Sequence, residues 1–293
     1  MTTATALNLF AISDLHVAHS ANREQLVRVA GALAKSDDWL ILGGDVGESD
    51  EDLAFVFGLF RSRFAKLIWV PGNHELWTLP RPQGAAADQV ELRGVAKYEH
   101  LVAMCRSLDV LTPEDPYAVW QGDGEPLVIA PLFLLYDYTF RPPGITTSAA
   151  AVAWAAEEDV VAVDELLLHP DPYASREAWC DARVAATMRR LDAIPPECAT
   201  ILVNHFPLRQ THARLPFVPR FTPWCGTTRT ETWHLRYRAR VVVYGHLHIP
   251  RTFVQDGVAF EEVSFGYPRQ RGWHNLPPLR RIWPRPPAEG APP

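Results

Sequence analysis

The sequence predicts an α/β protein built on a mostly parallel sheet. Two observations point there. Short apolar runs alternate with helical stripes from the N-terminus onward, and each apolar run stops at a small cluster of Asp, Asn, His and Gly. Strand, helix, strand, helix, strand is the order expected of βαβ units, with helices packed on the sheet they connect.

The elements run in order along the chain. "LNLFAIS" (7 to 13) reads as a buried strand. "NREQLVRVAGALAK" (22 to 35) places Leu26, Val29, Ala30 and Leu33 on one helical stripe. "WLIL" (39 to 42) is a second strand, "DLAFVFGLFRS" a helix, and "KLIWV" (66 to 70) a third strand. Residues 76 to 90 read as a loop, 93 to 108 as a helix and 125 to 135 as a strand. From Tyr136 to about Cys180 the pattern breaks at "RPPG" and "HPDP", with an Ala-rich helix from about Ser148. Trp154, Val160, Val161, Leu166 and Leu167 make this stretch too apolar for a linker, so it reads as an insertion packed on the main body. "ATILVNHF" (199 to 206) and "RVVVYGHLH" (240 to 248) resume the strands, and a hairpin turns at Asp256-Gly257. A single domain over 1 to 283 is expected, with an insertion at about 76 to 180. Within it, 136 to 180 is a candidate lid or pocket wall. The Pro-rich tail, 284 to 293, is expected to be disordered.

Composition narrows the class. A net charge of −6 is a poor host for a polyphosphate backbone, which argues against nucleic acid as a partner. The four cysteines are scattered without a CxxC pair, which disfavours thiolate metal sites and fits a reducing compartment. The N-terminal segment lacks a basic region and a long apolar core, and no run approaches a membrane span. A cytoplasmic protein with no membrane partner is expected; its oligomeric state is not legible.

The residues just past each strand carry the chemistry. The strand ends read "SDLH" (13 to 16), "GGDVGE" (43 to 48), "PGNHE" (71 to 75), "VNHF" (203 to 206) and "YGHLH" (244 to 248). Ligands bind at the carboxyl ends of strands in open α/β sheets, so these residues would converge on one crevice. Helix capping and turn closure could absorb Ser13, Asp14 and Asn73, but not His16, His74, His205, His246 and His248 together. Carboxylates, imidazoles and an Asn carbonyl without thiolates suit hard or borderline cations such as Mn, Fe, Zn or Ni, with donors enough for two ions.

The series D-x-H, G-D-x-x-[DE], G-N-H-[DE], an isolated H and G-H-x-H resembles the calcineurin-like metallophosphoesterase family, with all five blocks in order between residues 13 and 248. The resemblance implies a four-layer α/β/β/α sandwich of two mixed sheets flanked by helices, here with an inserted cap-like segment. It implies that Asp14, His16 and His248 hold one metal, that Asn73, His205 and His246 hold the other, and that Asp45 bridges them. The cofactor would be two divalent or transition-metal ions, Mn or Fe favoured, with Zn, Ni or Co as alternatives. The two histidines of "GHLH" would then stand together because each serves a different ion.

The reaction implied is attack on phosphorus by a metal-bridging hydroxide, with His74 as general acid toward the leaving oxygen. By position, Glu48 would orient His74, though an acid here also suits a helix N-terminus. "GES" replaces the "DRG" run of protein phosphatases, which argues against a protein phosphatase. Arg209, in the loop leaving His205, is the leading substrate-binding candidate, followed by Arg229, His212, Tyr98, Tyr136 and Tyr138. The function expected is a phosphomonoesterase acting on a small phosphorylated metabolite. A phosphodiesterase or nucleotide pyrophosphatase with the same metal residues is the alternative, and a non-catalytic scaffold a weaker one. The aromatic and Pro-rich loops "RPPGITT" and "RLPFVPRFTPW" suggest a closed pocket, which favours monoesters.

Overall fold

The computed structural model describes residues 7–80, 91–122, 125–273 and 276–285. In chain order the elements are β1 (Leu9–Ile12), α1 (Ser20–Gly31), β2 (Trp39–Leu42), α2 (Asp50–Arg61), β3 (Lys66–Trp69), α3 (Asn73–Leu76), α4 (Gly94–Ser107), β4 (Val110–Leu111), β5 (Ala118–Val119) and β6 (Leu127–Pro131). Next come α5 (Ser148–Ala156), α6 (Asp164–Leu167), α7 (Arg176–Asp192), β7 (Ala199–Val203), α8 (Trp233–Arg236), β8 (Ala239–Tyr244), β9 (Arg251–Gln255), β10 (Val258–Glu262) and β11 (Arg280–Trp283).

The strands form two mixed sheets, ordered β11-β1-β2-β3-β4 and β5-β6-β7-β8-β10-β9. Within each, the central strands run parallel; the edge pairings β1–β11, β5–β6 and β9–β10 are antiparallel, and the fourth, β3–β4, is parallel. The period-2 alternation of a strand sends its side chains to two different cores. Leu9, Ala11, Ile41 and Ile68 of the first sheet share one apolar cluster with Ile129, Ile201, Val203, Val241 and Val243 of the second. Their strand neighbours Ile12, Leu40, Leu42 and Leu67 join a separate cluster with helix residues such as Leu26, Val56, Phe57, Phe60 and Leu101. The outcome is the sandwich of two sheets between helices that the resemblance implied.

Among the elements not foreseen, two are substantial. The longest helix, α7, buries Trp179, Cys180, Val184, Thr187 and Leu191, a face that mixes aromatic, thiol and hydroxyl groups and so carries a weak apolar signal. The strand β11 lies in the Pro-rich stretch and pairs antiparallel with β1. Its Arg280 is buried because it reaches across to the other sheet, where Nη2 donates to Glu261 Oε2 at 2.8 Å. Of the tail expected to be disordered, 284 to 293, the part from 286 onward lies outside the described residues. Among the described residues no helix is long and apolar enough to cross a membrane.

The stretch 136 to 180 contributes Tyr136, Tyr138, Phe140, Ala151, Leu168 and Trp179 to the main core. Residues 161 to 164 of the same stretch line the pocket above the strand ends.

Candidate metal centre

Each ligand candidate sits just past the end of a strand. Asp14 and His16 follow β1, Asp45 follows β2, and Asn73 opens α3 after β3. His205 follows β7, while His246 and His248 follow β8. The strand ends of the two sheets meet here: Ser13 and Ser264 form a parallel bridge, and Phe265 N–H donates to the Ser13 carbonyl at 2.8 Å.

The chain makes sharp bends to deliver these side chains. Asp14, His16, Asp45, His246 and His248 all have positive φ, between 42° and 68°. Left-handed backbone is uncommon for residues other than Gly and costs of order 1–3 kcal/mol each, so it collects where function demands it. The glycines beside them are there for space. A Cβ on Gly72 would lie 2.1 Å from Asp45 Oδ1, and one on Gly245 would lie 2.2 Å from Asp14 Oδ2.

Three groups of donor atoms converge, each within 4.8 Å: Asp14 with His16 and His248, Asp45 with His205 and His246, and His16 with Asp45 and His74. His16 Nε2 and His248 Nε2 stand 3.1 Å apart, and His248 Nε2 is 3.1 Å from Asp14 Oδ1. His205 Nε2 lies 3.4 Å from Asp45 Oδ2. Asp14, His16, Asp45, Asn73 and His205 are buried, and His246 and His248 are half-buried.

Hydrogen bonds on the far side of the rings decide which nitrogen faces inward. His205 Nδ1 donates to the Gly43 carbonyl at 2.9 Å and His248 Nδ1 to Gln270 Oε1 at 2.8 Å. Both acceptors are carbonyl oxygens, so each Nδ1 carries a proton and Nε2 is the nitrogen left to face the other ligand candidates. His205 Nε2, His246 Nε2 and Asn73 Oδ1 are buried atoms with no hydrogen-bond partner. Buried polar atoms left unpaired are costly and rare. Three of them aimed at one crevice, all good donors to a cation, fit a divalent metal pair.

The electrostatics agree. Burial alone would raise the carboxyls of Asp14 and Asp45, but the imidazoles facing them, His248 for the first and His205 for the second, hold both well below the usual carboxylate range. Burial pushes His16 and His246 down to about 3, keeping those rings neutral as metal ligation requires. His205 is buried too, yet Asp45 and Asp14 push it up to about 10, so a cation is the natural occupant of its environment.

His74 lies at the edge of this constellation. Its Nδ1 donates to Glu48 Oε1 at 3.0 Å, and its Nε2 is 3.9 Å from Asp45 Oδ2. Burial opposes its ionisation, but Asp45 and Glu48 outweigh that and hold its pKa above the ordinary value. Glu48 is lowered in turn, chiefly by the hydrogen bond from His74. Ser49 caps α2, accepting the Asp52 N–H at 3.2 Å, so Glu48 is placed by the start of that helix.

Sequence reasoning missed four supporting residues. Glu75, the last letter of "PGNHE", accepts the backbone N–H groups of Asp45, Val46 and Gly72 at 2.8–2.9 Å, locking two ligand loops together. Gln270 fixes the His248 ring, and Tyr267 stacks on His16 with ring centroids 4.3 Å apart. Asp164 of α6 accepts the Asn73 amide at 2.9 Å and the Trp77 indole N–H at 2.6 Å. Only Glu75 carried a signal, by its place in a motif block.

The suggested substrate residues lie elsewhere. Arg209 is committed to Glu231 at 3.3 Å and Asp256 at 2.9 Å and does not line the metal pocket, because the loop leaving His205 carries it toward the β9–β10 turn. Arg229 pairs with Asp181, and His212 bonds Gln255 at 2.9 Å beneath Phe253 and Phe260. Tyr98 bonds Glu114, Tyr138 bonds Glu165, and Tyr136 is buried against Phe206.

Comparison with known proteins places the chain. A sequence profile for calcineurin-like phosphoesterase matches residues 7–250. The acyl-carrier-protein phosphodiesterase PptH of Mycobacterium tuberculosis (strain ATCC 25618 / H37Rv) is 51% identical over 283 residues, which cover 95% of this chain and 84% of that protein. The crystal structure of phosphopantetheinyl hydrolase (PptH) from Mycobacterium tuberculosis superposes with a TM-score of 0.90 at 49% identity, covering 99% of this chain and 100% of that one.

Proposed function

The chain belongs to the calcineurin-like phosphoesterase family, whose members use divalent metal ions to hydrolyse phosphate esters, and on that premise we propose that it is a phosphodiesterase acting on a phosphopantetheinyl acyl carrier protein. The observation that carries this reading is near-full-length identity of 51% to a protein named as an acyl-carrier-protein phosphodiesterase. It takes the place of the small-metabolite phosphomonoesterase expected from the sequence, because a diester substrate needs room beside the metals for a second substituent. The pocket over the ligand candidates, about 340 Å³, adjoins a second of about 450 Å³, with Leu215, Val218 and Leu247 lining both.

In this reading Asp14, His16 and His248 would hold one ion, Asn73, His205 and His246 would hold the other, and Asp45 would serve both. Oxygen and imidazole donors favour Mn or Fe, with Zn, Ni or Co also compatible. The bound pair supplies charge for the phosphoryl oxygens and a lowered pKa for water. The chain supplies the rest. Glu48 holds the Nδ1 proton of His74, which leaves the Nε2 proton of the imidazolium to be given away. Water adds across the diester: an oxygen–phosphorus bond forms, the phosphorus–oxygen bond to the departing alcohol breaks, and that oxygen takes the proton from His74. Residues 161 to 164 form one wall of the pocket, so the stretch 136 to 180 acts as a fixed wall packed on the core.

The test is direct. A phosphopantetheinylated carrier protein incubated with Mn-loaded enzyme should lose the mass of its arm, with phosphopantetheine appearing in solution. An intact carrier in a reaction that cleaves bis-nitrophenyl phosphate would overturn the substrate assignment.

A further inference from the structure

The ligand candidate Asp14 is tied, through a serine, to a second carboxyl group that none of the catalytic assignments uses. Asp14 Oδ1 faces His248 Nε2 at 3.1 Å. Its Oδ2 accepts the Ser13 hydroxyl at 2.5 Å and the His246 N–H at 3.1 Å. Ser264 Oγ stands 2.7 Å from the same oxygen and 2.5 Å from Glu262 Oε1. Glu262 is the last residue of β10 and is fully buried. Its other contacts are the N–H groups of Ser264 at 3.2 Å and Ile249 at 3.3 Å, with no arginine or lysine among them.

Counting protons settles the state of this chain. A serine hydroxyl has one proton to donate, yet Ser264 Oγ lies at hydrogen-bond distance from two carboxyl oxygens. One of those carboxyls must supply a second proton, or oxygen lone pairs would face each other across a close buried contact. Asp14 does not supply it: Oδ2 already accepts a hydroxyl and an N–H, and a metal ligand has to be ionised. Glu262 has no cation to pair with, and burial, with the Asp14 charge nearby, pushes its carboxyl up to about 7. We propose that Glu262 is a neutral positioning residue for the metal centre: its carboxyl hydrogen goes to Ser264, whose own hydroxyl is thereby committed to Asp14 Oδ2, leaving Oδ1 for the ion. The inference rests on the reading above in which Asp14 would hold a metal. It assigns the second sheet's Glu262 a part in fixing a ligand that hangs from the first.

Infrared spectra and metal titration test the relay together. The difference spectrum between Mn-loaded wild type and Glu262→Gln at about pH 6, below the raised value, should contain the C=O stretch of a protonated carboxyl. Ser264→Ala should weaken the hold on one Mn ion by roughly 10–100-fold, read against a competing chelator. Glu262→Met should do the same, and the double variant no more than either single one, since both changes break one chain. Glu262→Gln can donate from its amide nitrogen and should hold the ion within about threefold of wild type, a rescue that packing alone would not give to Gln and deny to Met. Ser264→Ala removes a single oxygen, so the relay is tested even if Glu262→Met does not fold. Absence of the carboxyl band, or a wild-type hold on Mn in Ser264→Ala, overturns the relay. If Asp14→Asn loses an ion while Ser264→Ala keeps both, the relay fails and the metal assignment stands. If Asp14→Asn keeps both ions, the metal assignment fails and the relay's role with it.

Discussion

Asp164 Oδ1 accepts the amide of Asn73 at 2.9 Å, a contact between residues 91 apart in the chain. The same oxygen takes the Trp77 indole N–H at 2.6 Å. With its amide nitrogen held, Asn73 keeps a buried carbonyl oxygen that has no hydrogen-bond partner. Asp164→Ala should therefore leave two buried donors unpaired, at a cost of about 1–3 kcal/mol, and should weaken metal affinity by roughly 10–100-fold. Titration of metal content against a competing chelator checks this. Wild-type retention of both ions would show that Asn73 needs no such support.

His74 should behave as an acid rather than a ligand. His74→Ala should keep its metal content and lose roughly 10²–10⁴ in kcat on an alkyl diester, and much less on a nitrophenyl ester whose leaving group needs no proton. Because Asp45 and Glu48 raise the His74 pKa, the protonated form persists above the ordinary histidine range. Activity on the alkyl diester should then fall as pH rises through that raised value, and Glu48→Gln should move the fall to lower pH. Identical pH profiles for the two proteins would detach Glu48 from this role.

Much of this arrangement was legible because strands are short apolar runs and a reactive centre at their ends has to be polar. Asp14, Asp45, Asn73 and His248 each lie within a few residues of such a run. Asp164 was illegible for the opposite reason: it lies in an irregular stretch, and nothing in "AVDELL" says that one carboxylate turns inward to a distant amide. Strand β11 was hidden by prolines on both sides, and by the fact that Arg280 is buried only through its pairing with Glu261. Helix α7 was hidden because Thr187 and Cys180 on its buried face interrupt the apolar stripe.

Metal dependence should divide unevenly among the ligands. Chelation should abolish hydrolysis, and added Mn should restore it. Asp45→Asn should lower occupancy of both ions because that carboxylate faces both histidine groups, while His16→Ala should mainly affect one. Metal analysis of the two variants separates these outcomes. Full activity after exhaustive chelation would rule out the metal assignment.

A remote ion pair offers a stability test independent of catalysis. Arg183 Nη2 donates to Glu114 Oε1 at 2.6 Å, and Tyr98 OH donates to the same oxygen at 2.7 Å. Burial alone would raise Glu114, but Arg183 and the Tyr98 hydroxyl hold it below its ordinary 4.5. A depressed folded-state pKa stabilises the fold above the unfolded value and loses that contribution as pH falls through the folded one. Glu114→Gln should thus cost about 1 kcal/mol at pH 7, reduced by solvent screening at this half-exposed site. The deficit should vanish in acid, below the depressed value. Denaturant melts over a series of pH values from 7 down into acid give the comparison; a difference constant across the series would mean the charge plays no part.

The ligand candidates are divided between the two sheets. Asp14, His16, Asp45 and Asn73 hang from one, and His205, His246 and His248 from the other. Ions bound among them would act as rivets through both halves of the sandwich, at the edge where Ser13 meets Ser264. Binding energy that favours only the native state adds directly to stability. A chelated protein should therefore become mechanically looser as well as inactive, its two halves exchanging amide hydrogens faster along β1 and β8. The same seven side chains would set both the rate of hydrolysis and the stiffness of the molecule, so a substitution chosen to tune one will tune the other.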